Sequence, residues 1–99
     1  MVDLPAQAGA HAFMYYVYVI KSIENNWFYV GMTNNVIKRI RQHNLAQSTA
    51  TKAYRPFTLV YSKAFTDRIS ARDYEKFLKI HSNKEKLLLS LDRAEVAKW

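Results

Sequence analysis

Tyr18, Tyr29, Arg39, His43 and Glu75 are the side chains of this chain whose types and spacing could do chemistry. Phenols and an imidazole exchange protons, a guanidinium grips oxyanions in a planar fork, and a carboxylate holds a hard cation. Such a set suits proton transfer beside an anion. Other templates are missing. The chain has no cysteine, which excludes thiol nucleophiles, disulfides and thiolate metal sites and leans towards a reducing compartment. GxSxG, HExxH and GxxxxGK do not occur, and two glycines cannot build a nucleotide cradle. His11, His43 and His81 lack metal-ligand spacing.

The segments around these residues must position them. Tyr15 to Lys21 is dominated by Tyr, Val and Ile and predicts a strand, with Tyr16, Tyr18 and Ile20 on one face and Tyr15, Val17 and Val19 on the other. A polar link containing Asn25 and Asn26 leads to a second strand, Trp27 to Met32, so the pair forms an antiparallel hairpin. Gly31 in that strand predicts a bulge or the close approach of another group. Thr33, Asn34 and Asn35 are capping types, and a helix from about Asn35 to Asn44 carries Val36, Ile37 and Ile40 on its apolar stripe. Arg39 and His43 are four apart and point the same way.

Leu45 to Arg55 reads as a loop of small and hydroxyl residues closed by Pro56. Phe57 to Phe65 predicts a third strand, in which Phe57, Leu59, Tyr61 and Lys63 alternate with Thr58, Val60, Ser62 and Ala64. A second helix starts near Thr66 or Asp67, with Tyr74, Phe77, Leu78 and His81 in one arc and Ala71 and Glu75 beside it. A third helical segment is expected over Asn83 to Leu91. The fold class is α/β in the α+β sense: a small, mainly antiparallel three-stranded sheet flanked by helices in the order β-β-α-β-α-α.

Length and charge narrow the function. Ninety-nine residues suit one domain, expected over residues 14–91, with a flexible tail at 1–13 and a carboxy-terminal tail at 92–99. The net charge of +7 is unevenly spread. Lys38, Arg39, Arg41, Lys52, Arg55 and Lys63 follow one another with no intervening acid. A one-sided positive field attracts polyanions, of which nucleic acid is the commonest. No run approaches the ~20 apolar residues of a membrane span, and the first thirteen do not read as a signal peptide, so the cytoplasm is the expected location and no membrane partner is expected.

Tyr16-Val17-Tyr18 and Tyr29-Val30-Gly31, with ten residues between Tyr18 and Tyr29, resemble the two name motifs of the GIY-YIG nuclease family. Arg39, eight residues after Gly31, stands where that family carries an Arg on the following helix. Glu75 fits the family's Ala-x3-Glu pattern, counted from Ala71, on a later helix. The Arg39 and His43 pair is similar to one found in restriction and structure-specific members. The likeness spans about residues 15–90 and is nearest to small stand-alone members related to the amino-terminal domain of the excinuclease C subunit. The chain departs from the pattern at Tyr16, where the first motif has Gly, at Val17 and Val30 for Ile, at Met32 for a basic residue, and at Leu87, where larger members have Asn.

The resemblance implies a metal-dependent endonuclease acting on duplex or branched DNA, in repair or recombination. Cutting a phosphodiester needs an activated water and neutralisation of the transition state's charge. Tyr18 is then the general base or water-orienting group, with Tyr29 assisting, Arg39 on the scissile phosphate and His43 in proton transfer. Glu75 would bind one divalent ion, Mg2+ or Mn2+, since a single carboxylate is too few for two metals. Beside a metal-bound water and the Arg39 guanidinium, the Tyr18 phenolate is expected to become more accessible, because nearby positive charge favours the ionised form. Lys38, Arg41, Lys52, Tyr54 and Arg55 form the expected DNA-contacting rim, which positions a duplex without reading its sequence. Tyr54 is open to two readings, stacking on a base or packing on the third strand. The alternative function is a non-catalytic nucleic-acid-binding module with a decayed nuclease site. The sequence fixes no oligomeric state, and a monomer is compatible with it.

Overall fold

β1 (Tyr15–Ser22) is the strand on which the other elements assemble. The computed structural model describes residues 14–97, with side chains described as far as residue 91. β1 lies between β2 (Phe28–Thr33) and β3 (Phe57–Phe65) and is antiparallel to both, in the order β2-β1-β3. Every residue from Tyr16 to Ile20 is buried, because helices cover both faces of the sheet. Val17 and Val19 pack with Ala71 and Leu78 of α2 (Arg68–Lys79) and with Leu87 of α3 (His81–Ala97). Tyr18 and Ile20 point the opposite way, towards Ile40 of α1 (Val36–Asn44). A strand covered on both faces needs no polar alternation, which accounts for the unbroken run YYVYVI. The α+β architecture and the element order match the expectation.

The alternation expected along β3 breaks in its middle. Val19 pairs with Tyr61 and Ile20 with Leu59, so Val60 is an extra residue in the ladder. One inserted residue switches which side chains face which way. Phe57 and Leu59 therefore join the α1 face, while Tyr61 and Phe65 join the α2 face. The same bulge puts Ser62 opposite Tyr18 and Ala64 opposite Tyr16, a small side chain beside each phenol ring.

The helix stripes also shift from the expected ones. On α1 the inward residues are Val36, Ile40 and His43, while Ile37 is 38% exposed. On α2 they are Ala71, Tyr74 and Leu78, at spacings of three and four; Phe77 is half exposed. His81 lies beyond the extended residue Ile80 and opens α3, two residues earlier than expected. The amino-terminal tail expected over 1–13 lies outside the described residues; the carboxy-terminal tail expected over 92–99 is instead helical as far as Ala97, where α3 ends.

Capping is explicit in the sequence. Asn35 Oδ1 accepts from the Lys38 N–H at 3.0 Å, and Asp67 Oδ1 from the Ser70 N–H at 2.7 Å. α1 closes with Ala46 N–H to His43 O (3.2 Å) and Gln47 N–H to Gln42 O (3.0 Å). That paired closure puts Ala46 at φ 63°, the left-handed position usually held by glycine. The loop that follows is tied down at its far end. Asn44 pairs twice with the Phe57 backbone (Phe57 N–H to Oδ1 2.7 Å, Nδ2 to O 3.3 Å), and the Ile23 N–H binds Pro56 O at 2.9 Å. The Arg55–Pro56 bond between these anchors is cis.

Replacing Ala46 by glycine relieves the left-handed conformation and raises stability by about 0.5–1 kcal/mol, net of the greater freedom of the unfolded chain. A rise in the urea midpoint at unchanged m-value reads this out.

Candidate active site

The Tyr18 phenol sits in a slot made by its neighbours across the sheet. Gly31 pairs with it on β2 and Ser62 on β3. A Cβ added at Gly31 would lie 2.5 Å from Tyr18 Cζ and closer still to Oη. Gly31 is there for close approach, the second of the two options its position in the strand left open; its backbone is not left-handed. The ring leans over the Gly31 backbone and carries its hydroxyl towards α1.

There Tyr18 Oη meets His43 Nε2 at 2.8 Å. On the far side of the imidazole, Nδ1 meets Thr51 Oγ1 at 2.8 Å, and Thr51 Oγ1 is 3.5 Å from Ser48 O. Tyr18, His43 and Thr51 are 1%, 0% and 0% exposed, so these groups exchange hydrogen bonds with one another instead of with solvent. Burial disfavours charge on each. The Tyr18 hydroxyl is pushed up to about 12, mainly by burial; Arg39 opposes the rise, and Tyr29 and Glu75 add to it. His43 is lowered to about 4 by burial and by the positive charge of Arg39. In the protein alone desolvation outweighs Arg39, and Tyr18 is a neutral hydroxyl beside a neutral imidazole.

Tyr29 stands at the mouth of this pair, half-buried, with ring centroids 6.4 Å from Tyr18 and 5.3 Å edge-on to His43. Arg39 is half-exposed, and its Nη1 donates to Gln42 Oε1 at 2.9 Å. α1 thus delivers a guanidinium and an imidazole one turn apart to the same phenol. Glu75 comes from α2, and its charge reaches Tyr18 without a hydrogen bond to it. The Glu75 side chain is 13% exposed and paired with Arg72 Nε at 3.3 Å and Lys79 Nζ at 3.1 Å. Among the described residues no three His, Asp or Glu side chains gather as a metal cage.

Lys38, Arg41, Lys52 and Arg55 are exposed, and among the described residues none makes an ion pair. Tyr54 stacks face to face on Trp27, with centroids 4.1 Å apart and planes 10° from parallel. Its partner is Trp27, just before β2. Trp27 continues to Tyr29 (6.3 Å) and Phe57 (6.0 Å), so an aromatic row runs from the loop to the site. Thr51 and Trp27 have no role in the sequence reading. A lone Thr in a polar loop carries no periodic signal, and its contact with His43 exists only once the loop folds back.

The family model for the GIY-YIG catalytic domain matches residues 14–87. The UPF0213 protein SH2523 of Staphylococcus haemolyticus is 36% identical over 80 residues, covering 80% of this chain and 96% of that protein. The UPF0213 protein YazA of Bacillus subtilis is 33% identical, with 75% of each chain covered. The solution structure of the UPF0213 protein BH0048 from Bacillus halodurans aligns with a TM-score of 0.49 at 30% identity, over 79% of this chain and 84% of that one.

Gly31→Ala forces the Tyr18 ring off His43; the expected cost is about 1–3 kcal/mol in chemical denaturation, together with loss of the Tyr18–His43 hydrogen bond in NMR spectra. His43 has the opposite linkage from a paired histidine. Its folded value, about 4, lies below the ordinary 6.5, so its contribution is complete above pH 6.5 and is lost as pH falls towards 4. The loss is on the order of 3 kcal/mol, and His43→Gln flattens that part of the stability–pH curve.

Proposed function

The chain belongs to the GIY-YIG catalytic-domain family of nucleases, and we propose that it is itself a metal-dependent endonuclease hydrolysing DNA phosphodiester bonds, duplex or branched. The observation that carries this reading is the buried Tyr18–His43 hydrogen bond with the Arg39 guanidinium beside it. Residues 14–91 act as one catalytic unit. The reading extends to a role in DNA repair or recombination in the cytoplasm; among the described residues no helix is long and apolar enough to cross a membrane.

A neutral Tyr18 cannot act as a ready-made phenolate, so the base is the pair. As the attacking water gives a proton to Tyr18 Oη, Tyr18 passes its own to His43 Nε2. As the water oxygen bonds to phosphorus, the bond from phosphorus to the leaving sugar oxygen breaks and that oxygen takes a proton from solvent; the phenol ends neutral and His43 ends as imidazolium, a cation that the phosphate's negative charge favours. Arg39 forks onto the non-bridging oxygens and offsets the charge that builds there. The Tyr29 hydroxyl orients the water. Glu75 fits a Mg2+ or Mn2+ ion in the mode in which one carboxylate, waters and substrate phosphates complete the shell; Arg72 and Lys79 must then give up their ion pairs. When bound, the ion supplies charge neutralisation and Lewis acidity at the phosphate. Lys38, Arg41, Lys52 and Arg55 contact flanking phosphates, and Tyr54, held flat on Trp27, forms the edge of that surface.

The commitment of Glu75 to two cations favours one other reading, a nucleic-acid-binding module whose nuclease site has decayed. Nicking of plasmid and branched DNA with Mg2+ or Mn2+ separates the two. The endonuclease cuts, Tyr18→Phe and Glu75→Ala each lower the rate by at least about 100-fold, and DNA affinity stays within about threefold. Salt-sensitive DNA binding by the unmodified protein, with no cleavage under either metal, sinks the catalytic reading in favour of the binding module.

A further inference from the structure

The catalytic pair is built from α1 and β1, yet its imidazole is held from the other side by the loop between α1 and β3. Tyr18 Oη and Thr51 Oγ1 sit on the two nitrogens of His43, each at 2.8 Å. Two arrangements of hydrogens satisfy those distances, and the surroundings choose between them. A hydroxyl has one hydrogen to give. The Arg39 guanidinium beside Tyr18 only donates, so it cannot take the phenol's hydrogen. Nε2 is the hydrogen-bond partner of Tyr18 Oη among the described residues, and an Nε2 that carried a proton would strand the phenol's hydrogen in a fully buried site. Nδ1 then carries the ring's proton and donates to Thr51 Oγ1, whose own hydrogen has the Ser48 carbonyl at 3.5 Å as a weak acceptor. The two short bonds run one way: Tyr18 to His43, and His43 to Thr51.

We infer that Thr51 is a positioning residue for catalysis, fixing His43 as the Nδ1–H tautomer so that Nε2 is bare and aimed at the Tyr18 hydroxyl. The inference rests on the endonuclease reading for its consequence, but not for the tautomer itself. The site is constructed around Thr51. The Thr51 N–H and Lys52 N–H both return to Ser48 O (3.2 and 3.0 Å), and Tyr54 N–H to Thr51 O (2.9 Å), so a single turn of 3-10 helix (Lys52–Tyr54) fixes the threonine backbone. The Asn44 clamp on Phe57 then holds the whole loop against the end of α1. Without the hydroxyl, a buried Nδ1–H would have no acceptor, so the Nδ1–H form loses the bond that favours it, and Nε2–H, the form that blocks transfer from Tyr18, gains population. Lys52 and Arg55, on the proposed DNA rim, flank the same short turn.

The test uses the full chain and Thr51→Val, which keeps the shape and removes the hydroxyl, with Thr51→Ser as the rescue. Nitrogen-15 shifts of the His43 ring report the tautomer directly. The expected result is Nδ1–H in the unmodified protein and in Thr51→Ser, and a shift towards Nε2–H in Thr51→Val. In the nicking assay, Thr51→Val lowers the cleavage rate at saturating DNA by at least tenfold at unchanged affinity, and Thr51→Ser restores most of it. An Nε2–H ring in the unmodified protein, or an unchanged tautomer in folded Thr51→Val, overturns the inference. If Thr51→Val fails to fold, Thr51→Ser with the unmodified ring state and the unmodified protein's own tautomer still decide it. Absence of cleavage in the unmodified protein beside an Nδ1–H ring is a failure of the endonuclease reading alone.

Discussion

The desolvation of Tyr18 and His43 is the constraint on which the rest of the site depends. Two polar rings with almost no exposed surface must satisfy one another. Their hydrogen bond joins β1 to α1, and the next bond joins α1 to the loop before β3. Three segments distant in sequence are thus held by one imidazole. The same burial keeps both groups neutral in the protein alone, so charge can appear on them only when a ligand brings compensating charge. In the proposed endonuclease the substrate's phosphate delivers that to His43.

Packing on the sheet makes room for this arrangement. Tyr18 is a large side chain in the middle of a central strand, and a central strand has two crowded neighbours. Gly31 on one side and Ser62 on the other clear the space, and Ser62 is there because Val60 bulges out of the β3 ladder. The bulge also sends Tyr61 to the opposite face, where its hydroxyl meets that of Tyr74 at 3.0 Å and helps seat α2. α2 carries Glu75, so an irregularity in β3 bears on both the phenol and the carboxylate.

Charge is arranged on two levels. Lys38, Arg41, Lys52 and Arg55 are exposed, where the field is long-ranged and salt-sensitive. Arg39 is the half-buried cation of the site, where it acts at short range on Tyr18 and His43. Glu75 is balanced by Arg72 and Lys79 on its own helix, an arrangement that keeps a largely buried carboxylate tolerable without a bound cation.

The sequence by itself determined the element order and the shared direction of Arg39 and His43, and it narrowed the helix caps to a few residues, because strand composition, capping residues and four-residue helical spacing are local signals; the family resemblance grouped Tyr18 and Tyr29 with them. It left Gly31 between two explanations. Only the tertiary structure decided that, since it depends on which side chain arrives from another strand. The parity switch at Val60, the inward shift of the α2 stripe and the neutral state of Tyr18 were also beyond reach. A bulge is set by pairing between strands, and a pKa by how completely neighbours exclude water. Thr51 was the least legible residue of all: nothing in its own loop distinguishes it from Ser48 or Thr49 until the chain folds back and puts its hydroxyl on His43.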